Sequence, residues 1–358
     1  MTYPETTLLQ DTPSRTVLYA SLELSNSKWL VGSGPGIGSL RRTEVSARDV
    51  EGVLAEFERA KSRFGLPPDC PVRCCYEAGR DGFWLHRELQ AKGIENVVID
   101  AGSIEVSRKS RPAKTDKLDV AMLLRKLIQY WCGDGKAFRV VEVPTREQED
   151  ERRLHRELGR LKKDRTRLRN RIWADLALEG LRPKTLRAVI ARPDSLRGRD
   201  GKPLPRFLLS RLSLAARQLE LVMEQVKELE QARTQLLKEG KSEGATKAKR
   251  LLLLRSLGPV SSWVLSAEFF GWRTFSNRRQ LAACAGLTGS PYASGSTSRE
   301  QGLSKGGNRR VRTLMIELSW IWLRHQPNSR IAKWWQRGSV ELANGYGRWG
   351  SRRWPVAC

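Results

Sequence analysis

Short apolar runs alternate with stretches of helical spacing over residues 16–140, the pattern of an α/β segment. The runs Thr16–Leu24, Lys28–Gly32, Leu40–Val45, Val72–Tyr76 and Asn96–Asp100 predict strands. The first three lie close together, as in a meander. Val50, Val53, Leu54 and Phe57 follow i, i+3, i+4, i+7 and predict a helix behind Ser46 as N-cap. A second helix is expected over about Phe83–Lys92, ended by Gly93. A third is expected from Thr115 or Asp116, with Leu123, Leu124, Leu127 and Ile128 on its apolar face.

The pattern changes over residues 145–240. Leu154, Leu158, Leu161, Leu168 and Ile172 keep a 3/4 spacing that Arg165 interrupts. Leu219, Val222, Val226, Leu229 and Leu236 do the same around Arg233. Two long helices with coiled-coil spacing are predicted, paired within or between chains. Pro183, Pro193, Pro203 and Pro205 break the stretch between them. A polar linker, KEGKSEGATKAKR, precedes LLLLRSLGPVSSWVLSAEFF, which reads as two apolar helices around Gly258-Pro259-Val260. That is the pattern of a helix-hairpin-helix, and equally of an ordinary helical hairpin. A Gly/Ser-rich loop, TGSPYASGSTSREQGLSKGGN, and a basic helix, RRVRTLMIELSWIWLR, follow.

Charge sharpens this picture. The chain has 358 residues, with 65 Lys+Arg against 39 Asp+Glu, a formal net charge of +26. The excess is clustered: Glu151–Arg171 holds ten Lys/Arg and three acids. Such clusters point to a polyanionic partner, the alternative being a solvated basic face. No run of 18 apolar residues exists, so no transmembrane helix is expected. MTYPETTLLQDTPSR lacks a basic region ahead of an apolar core, so no signal peptide is expected. The six cysteines form no pair of CxxC motifs and the three histidines are scattered. Reduced thiols in a cytoplasm are the simplest reading, with Cys74 and Cys75 packed in a strand.

Four carboxylates are candidates for chemistry: Glu23 in the first strand, Glu77 closing the fourth, and Asp116 and Asp119 at i, i+3 on the third helix. Gathered together they would need cations, and oxygen ligands suit Mg²⁺ or Mn²⁺. Two such ions about 4 Å apart stabilise both oxygens of a phosphodiester displacement. Solvated acids are the plain alternative, and Asp116 could simply start its helix. Arg108, Lys109, Arg111 and Lys114 precede the paired Asp. Arg299, Lys305, Arg309, Arg310 and Arg312 follow the Gly/Ser-rich stretch. Both sets are placed to meet a nucleic-acid backbone. Trp320, Trp322, Trp334 and Trp335 fit core or interface packing better than base stacking.

YEAGRDGFWLHREL, a strand ending Ile99-Asp100, SRKSRPAKTDKLDVAMLLR, and then LGPV, NRRQLAACAGLTGSPYASG and GLSKGGNRRVR occur here in one order. Together they resemble the DEDD transposases of the 110 family of insertion sequences, with the Piv DNA invertases as relatives. The resemblance spans about residues 15–340. It implies a RuvC-like, ribonuclease H-like domain over 15–143 and coiled-coil helices over 144–242. A mainly helical transposase domain with a helix-hairpin-helix-like element would span 247–340, before a tail over 341–358. The order of the predicted strands and helices agrees with the first of these. Family members continue into a further basic, apolar helix after the region matching GSRRWPVA, so a shortened C-terminus is expected.

The resemblance implies a recombinase that cuts and rejoins donor and target DNA, guided by a structured bridge RNA. It also implies dimers assembling to a tetramer, with half-sites from different protomers, at the nucleoid of a bacterial cytoplasm. The family's first Asp matches Glu23, a departure by one methylene. Its Glu matches Glu77, and its paired Asp match Asp116 and Asp119, with Mg²⁺ or Mn²⁺ as cofactor. Its serine nucleophile falls in GLTGSPYASGSTS, where Ser294 is the choice and Ser290, Ser296 and Ser298 compete. Two other readings stand beside it: a metal-dependent structure-specific nuclease that uses the carboxylates alone, and a non-catalytic nucleic-acid-binding derivative.

Overall fold

The computed structural model describes residues 17–79, 82–104, 116–295 and 297–345. The chain divides into two compact units, residues 1–143 and 144–358.

The first unit is built on a mixed five-stranded sheet. Its strands are β1 (Leu18–Glu23), β2 (Lys28–Gly34), β3 (Arg41–Ser46), β4 (Val72–Glu77) and β5 (Glu95–Ile99), in the order β3-β2-β1-β4-β5. β1, β2 and β3 pair antiparallel, while β1–β4 and β4–β5 pair parallel. The parallel pairs need crossovers, which α1 (Val50–Phe64) and α2 (Trp84–Ala91) supply. Both sheet faces are covered, and the alternation along β1 divides the two cores. Leu18, Ala20 and Leu22 pack with Val53, Phe57, Leu85 and Leu89 of α1 and α2. Val17 and Tyr19 face the other way, onto Leu123, Leu124, Leu127 and Ile128 of α3 (Asp116–Trp131). Each fully buried leucine contributes roughly 2 kcal/mol. Cys74 and Cys75 are both fully buried, one in each core, and burial pushes both thiols up. The N-cap of α1 is Asp49 rather than Ser46: Asp49 Oδ1 accepts from Gly52 N at 2.8 Å, while Ser46 pairs with Lys28 at the end of β3.

The second unit begins with α4 (Arg146–Leu178), opened by a Thr145/Gln148 capping box. After a short helix, α5 (Arg187–Ala191), the chain returns beside α4 as α6 (Arg206–Glu239). Lys162 pairs with Glu230, Arg171 with Gln218, and Asp175 with Arg211, so partner numbers fall as α4 advances and the helices are antiparallel. Leu168, Ile172 and Leu176 meet Leu212, Ala215 and Leu219 in one cluster, and Leu158 and Leu161 meet Val226 and Leu229 in another. The predicted apolar stripes therefore pair within the chain. Arg233 is only 8% exposed in this seam, and its Nε has no hydrogen-bond partner among the described residues.

The stretch read as a polar linker is instead helical. α7 (Glu243–Leu252) is capped by Ser242, which accepts from Ala245 N, and small residues Ala245 and Ala248 let it pack closely. α8 (Pro259–Leu265) runs on into a π-helical turn, Ser266–Phe270. α9 (Arg278–Ala285), α10 (Arg309–His325) and α11 (Arg330–Gly345) follow, around a core of Leu265, Phe269, Ala285, Val311 and Leu318. The expected shortened tail falls largely on residues 346–358, outside the described residues. Among the described residues no helix is long and apolar enough to cross a membrane.

Candidate active-site residues

Glu23 and Glu77 end neighbouring parallel strands. The register pairs Leu22 with Tyr76, so the next residue on each strand is one of the two glutamates. Both are half-buried and line one cleft of about 410 Å³, together with Ser25, Asn26, Gly79 and Gly82. α3 runs antiparallel to these strands. Ser21 Oγ donates to Val120 O at 2.9 Å near its start, and Arg73 lies 3.9 Å over the ring of Trp131 at its end. The first turn of α3 therefore extends toward the strand ends that carry Glu23 and Glu77. Asp119 is half-buried in that turn, and the Asp116 side chain lies outside the described residues. Among the described residues, no three His, Cys, Asp or Glu side chains gather closely enough to hold a metal ion. The donor set is all oxygen, which is the chemistry Mg²⁺ and Mn²⁺ accept. Arg108, Lys109, Arg111 and Lys114 lie outside the described residues.

The Gly/Ser-rich stretch, expected as a loop, is largely a hairpin of β6 (Gly289–Ser294) and β7 (Thr297–Leu303). Ser294 is the last residue of β6 and pairs with Thr297 across a two-residue turn, with Gly295 at φ 56°. A turn that short needs positive φ, which glycine adopts without strain. Ser290 lies in β6 and Ser298 is exposed on β7, opposite Ala293; Ser296 lies outside the described residues.

Beyond β7 the chain turns sharply against the end of α9. Lys305 N donates to Gly286 O, and Asn308 N donates to Cys284 O at 2.8 Å. The approach is so close that a Cβ on Gly286 would collide with Gly306 O, and one on Gly307 with Cys284 O. Arg312 Nη1 donates to the carbonyls of Lys305 at 2.9 Å, Gly306 at 3.2 Å and Ala285 at 3.3 Å. Arg312, expected at a phosphate, is thus committed through this nitrogen to holding the turn, because three carbonyls converge on it. Arg309 and Arg310 are exposed in the first turn of α10, and the Arg299 guanidinium sits 5.0 Å over Tyr292. Trp320 and Trp334 are about half-exposed, and Trp320 meets Trp335 edge-on.

A buried network lies behind this turn, and the sequence reading missed it. Glu268, 1% exposed, accepts from His155 Nε2 at 2.8 Å, from Arg156 through two nitrogens at 2.9 Å each, and from Asn308 Nδ2 at 2.9 Å. Burial alone would raise its pKa; the hydrogen bonds and charges of His155 and Arg156 more than reverse this and hold the carboxyl well below the usual carboxylate range. The available signal was an acid alone within an apolar helical run, LLLLRSLGPVSSWVLSAEFF. A π-helical turn at that acid adds to it, since such turns recur at functional sites.

Residues 248–333 match the family model described as "Transposase IS116/IS110/IS902 family". A Sinorhizobium fredii protein named "Putative transposase y4rJ" is 41% identical over 335 residues, covering 90% of this chain and 84% of that protein. The "Transposase for insertion sequence element IS1328" of Yersinia enterocolitica is 25% identical over 192 residues, covering 53% of this chain and 55% of that protein. Identity sustained along nine-tenths of the sequence, with a family match centred on the α7–α11 region, settles the relationship: this chain belongs to the IS116/IS110/IS902 family of insertion-sequence transposases.

Proposed function

We propose that this insertion-sequence transposase cuts and rejoins DNA through a covalent phosphoserine intermediate, with Ser294 as nucleophile. Glu23, Glu77, Asp116 and Asp119 would hold Mg²⁺ or Mn²⁺. The observation that carries this reading is the meeting of Glu23 and Glu77 on one cleft at adjacent strand ends. The β3-β2-β1-β4-β5 order supports a RuvC-like, ribonuclease H-like unit, and the long α4–α6 pair supports a coiled-coil segment. A bound divalent cation supplies positive charge at the scissile phosphate.

A serine hydroxyl is a weak nucleophile until activated. In the step itself, the Ser294 Oγ–P bond forms and the bond from phosphorus to a DNA sugar oxygen breaks. The serine proton ends on the departing oxygen. The phosphoserine ester keeps the free energy of the diester, so a second DNA hydroxyl reverses the step onto a new partner without ATP. Arg299, Lys305, Arg309 and Arg310 lie near Ser294 in sequence and contact phosphates in this reading. The +26 charge supports a second nucleic acid partner. In this reading it is a structured bridge RNA that selects donor and target, on dimers that assemble to a tetramer.

The experiment is a reaction on the element's own ends, stopped with denaturant. DNA should remain attached to wild-type protein through phosphoserine and be absent from Ser294→Ala, with Ser290→Ala and Ser298→Ala unaffected. An adduct that survives Ser294→Ala rejects this serine. Cleavage without any adduct favours hydrolysis by the carboxylates alone. Sequencing RNA that copurifies with the chain tests the guide: one abundant structured species is expected, and a random mixture counts against it.

A further inference from the structure

The corner between α7 and α8 exposes leucines where a soluble protein would bury them. Leu253 is 85% exposed and Leu254 46%, and Val260, on the first turn of α8, is 46% exposed. The corner is nevertheless held in place. Leu251 and Leu257, on either side, are packed against the core of Leu265 and Phe269. Leu254 N donates to Leu251 O and Leu257 N donates to Leu254 O, at 3.0 and 3.1 Å. Gln326, at the end of α10, donates through Nε2 to Arg255 O at 2.7 Å. Ser256 takes φ 91°, a conformation that residues with a Cβ rarely adopt. A strained, braced turn thus presents two leucines outward.

Charge indicates what covers them. Residues 247–260 contain Lys247, Lys249, Arg250 and Arg255 and no acid. Lys247 pairs with Glu243, and Lys249 donates to Lys238 O. Arg250 and Arg255 are exposed, and their guanidinium groups have no hydrogen bond or ion pair among the described residues. A protein partner would leave these cations unmatched unless it were strongly acidic. Free phosphate has no use for leucine. Duplex DNA uses both, because apolar side chains enter and unstack base steps while flanking cations grip the backbone.

We infer that Leu253 and Leu254 form a wedge that enters a base step of duplex DNA, with Arg250 and Arg255 on the phosphates to either side. The wedge kinks the duplex, by roughly 20–90° on the scale of such insertions. A bent strand is an easier one to cut and exchange.

The test uses the full chain and a short DNA duplex with 2-aminopurine at a central TpA step and a dye pair at its ends. Wild-type protein should raise 2-aminopurine emission several-fold and increase energy transfer between the ends. Leu253→Ala with Leu254→Ala should abolish both signals while the protein stays folded by thermal melting, since Leu253 is largely and Leu254 about half exposed. Arg250→Gln and Arg255→Gln should each weaken binding and lower the salt dependence by about one phosphate contact. The inference fails if wild-type protein gives no emission change, or if the double leucine variant retains it. It also fails if that variant changes the oligomeric mass by light scattering, which would make the leucines a protein interface. Equal dependence on the leucines for an RNA duplex of the same sequence would overturn the assignment to DNA.

Discussion

Asn308 Nδ2 donates to Glu268 Oε2 at 2.9 Å, and Asn308 Oδ1 accepts from the backbone N–H groups of Arg310 and Val311. One amide therefore joins a buried carboxylate to the N-cap of α10, immediately after the turn that follows the hairpin carrying Ser294. Removing the carboxylate charge leaves the Arg156 guanidinium without its counterion. Glu268→Gln should destabilise the chain by about 3 kcal/mol, read from denaturant midpoints.

The same carboxylate sets a pH dependence. Its folded pKa lies below the usual value of 4.5, so its contribution is present above that value and is lost as pH falls toward the folded pKa. Wild-type stability should fall below about pH 4.5, and Glu268→Gln should show a shallower fall there. Parallel curves for the two proteins in acid would show that the network does not carry this dependence.

Gly286 lies at φ 68°, against the carbonyl of Gly306. Gly286→Ala combines left-handed strain with a collision against backbone, so a loss of about 2 kcal/mol or more is expected. Activity should fall at temperatures where the variant is still folded, because the turn before Arg309 and Arg310 is displaced. Unchanged melting and activity would mean that the turn yields freely.

Arg233 sits in the α4–α6 seam, its Nε without a hydrogen-bond partner among the described residues. A buried N–H left without a partner carries a desolvation cost that an apolar side chain of similar length avoids. Arg233→Met should raise stability by about 1 kcal/mol, and Leu229→Lys should lower it by about 2 kcal/mol. The reverse order in thermal melts would assign Arg233 a stabilising role.

On the proposed carboxylate reading, Glu77→Gln should cut DNA cleavage by roughly two orders of magnitude while the fold persists. Glu23→Asp, which introduces the residue that the resemblance implies at that position, should keep or raise activity. Normal cleavage by Glu77→Gln in Mg²⁺ would remove Glu77 from the site.

The five strands, the three helices of the first unit and the two long helices were legible because apolar spacing records burial directly. Glu23 and Glu77 were legible as strand-end acids, but their adjacency depends on the parallel β1–β4 pairing, which links residues far apart in sequence. The hairpin at Ser294 was hidden because its strands are polar on both faces and so lack an apolar alternation. α7 was hidden because Ala245 and Ala248 bury little surface each and its other residues are mostly charged. Arg312 and Glu268 show the limit most plainly. Sequence records that a side chain is charged, and only the fold decides whether it faces water, carbonyls or a buried counterion.

The place where α3 crosses the sheet has a consequence for how this transposase can vary. Ser21 Oγ bonds directly to the α3 backbone, and a Cβ on Gly32 would collide with Val120 Cγ1. The helix therefore rests on two of the smallest residues available, one residue beyond Asp119. That missing methyl acts as a gauge: it sets how closely the first turn of α3 approaches β1 and β2. On the proposed carboxylate reading, exchanging Asp for Glu at position 23 changes one arm of the site by a methylene. On that reading compensation need not come from any acid, because a change at the helix–sheet contact also shifts the turn that carries Asp119.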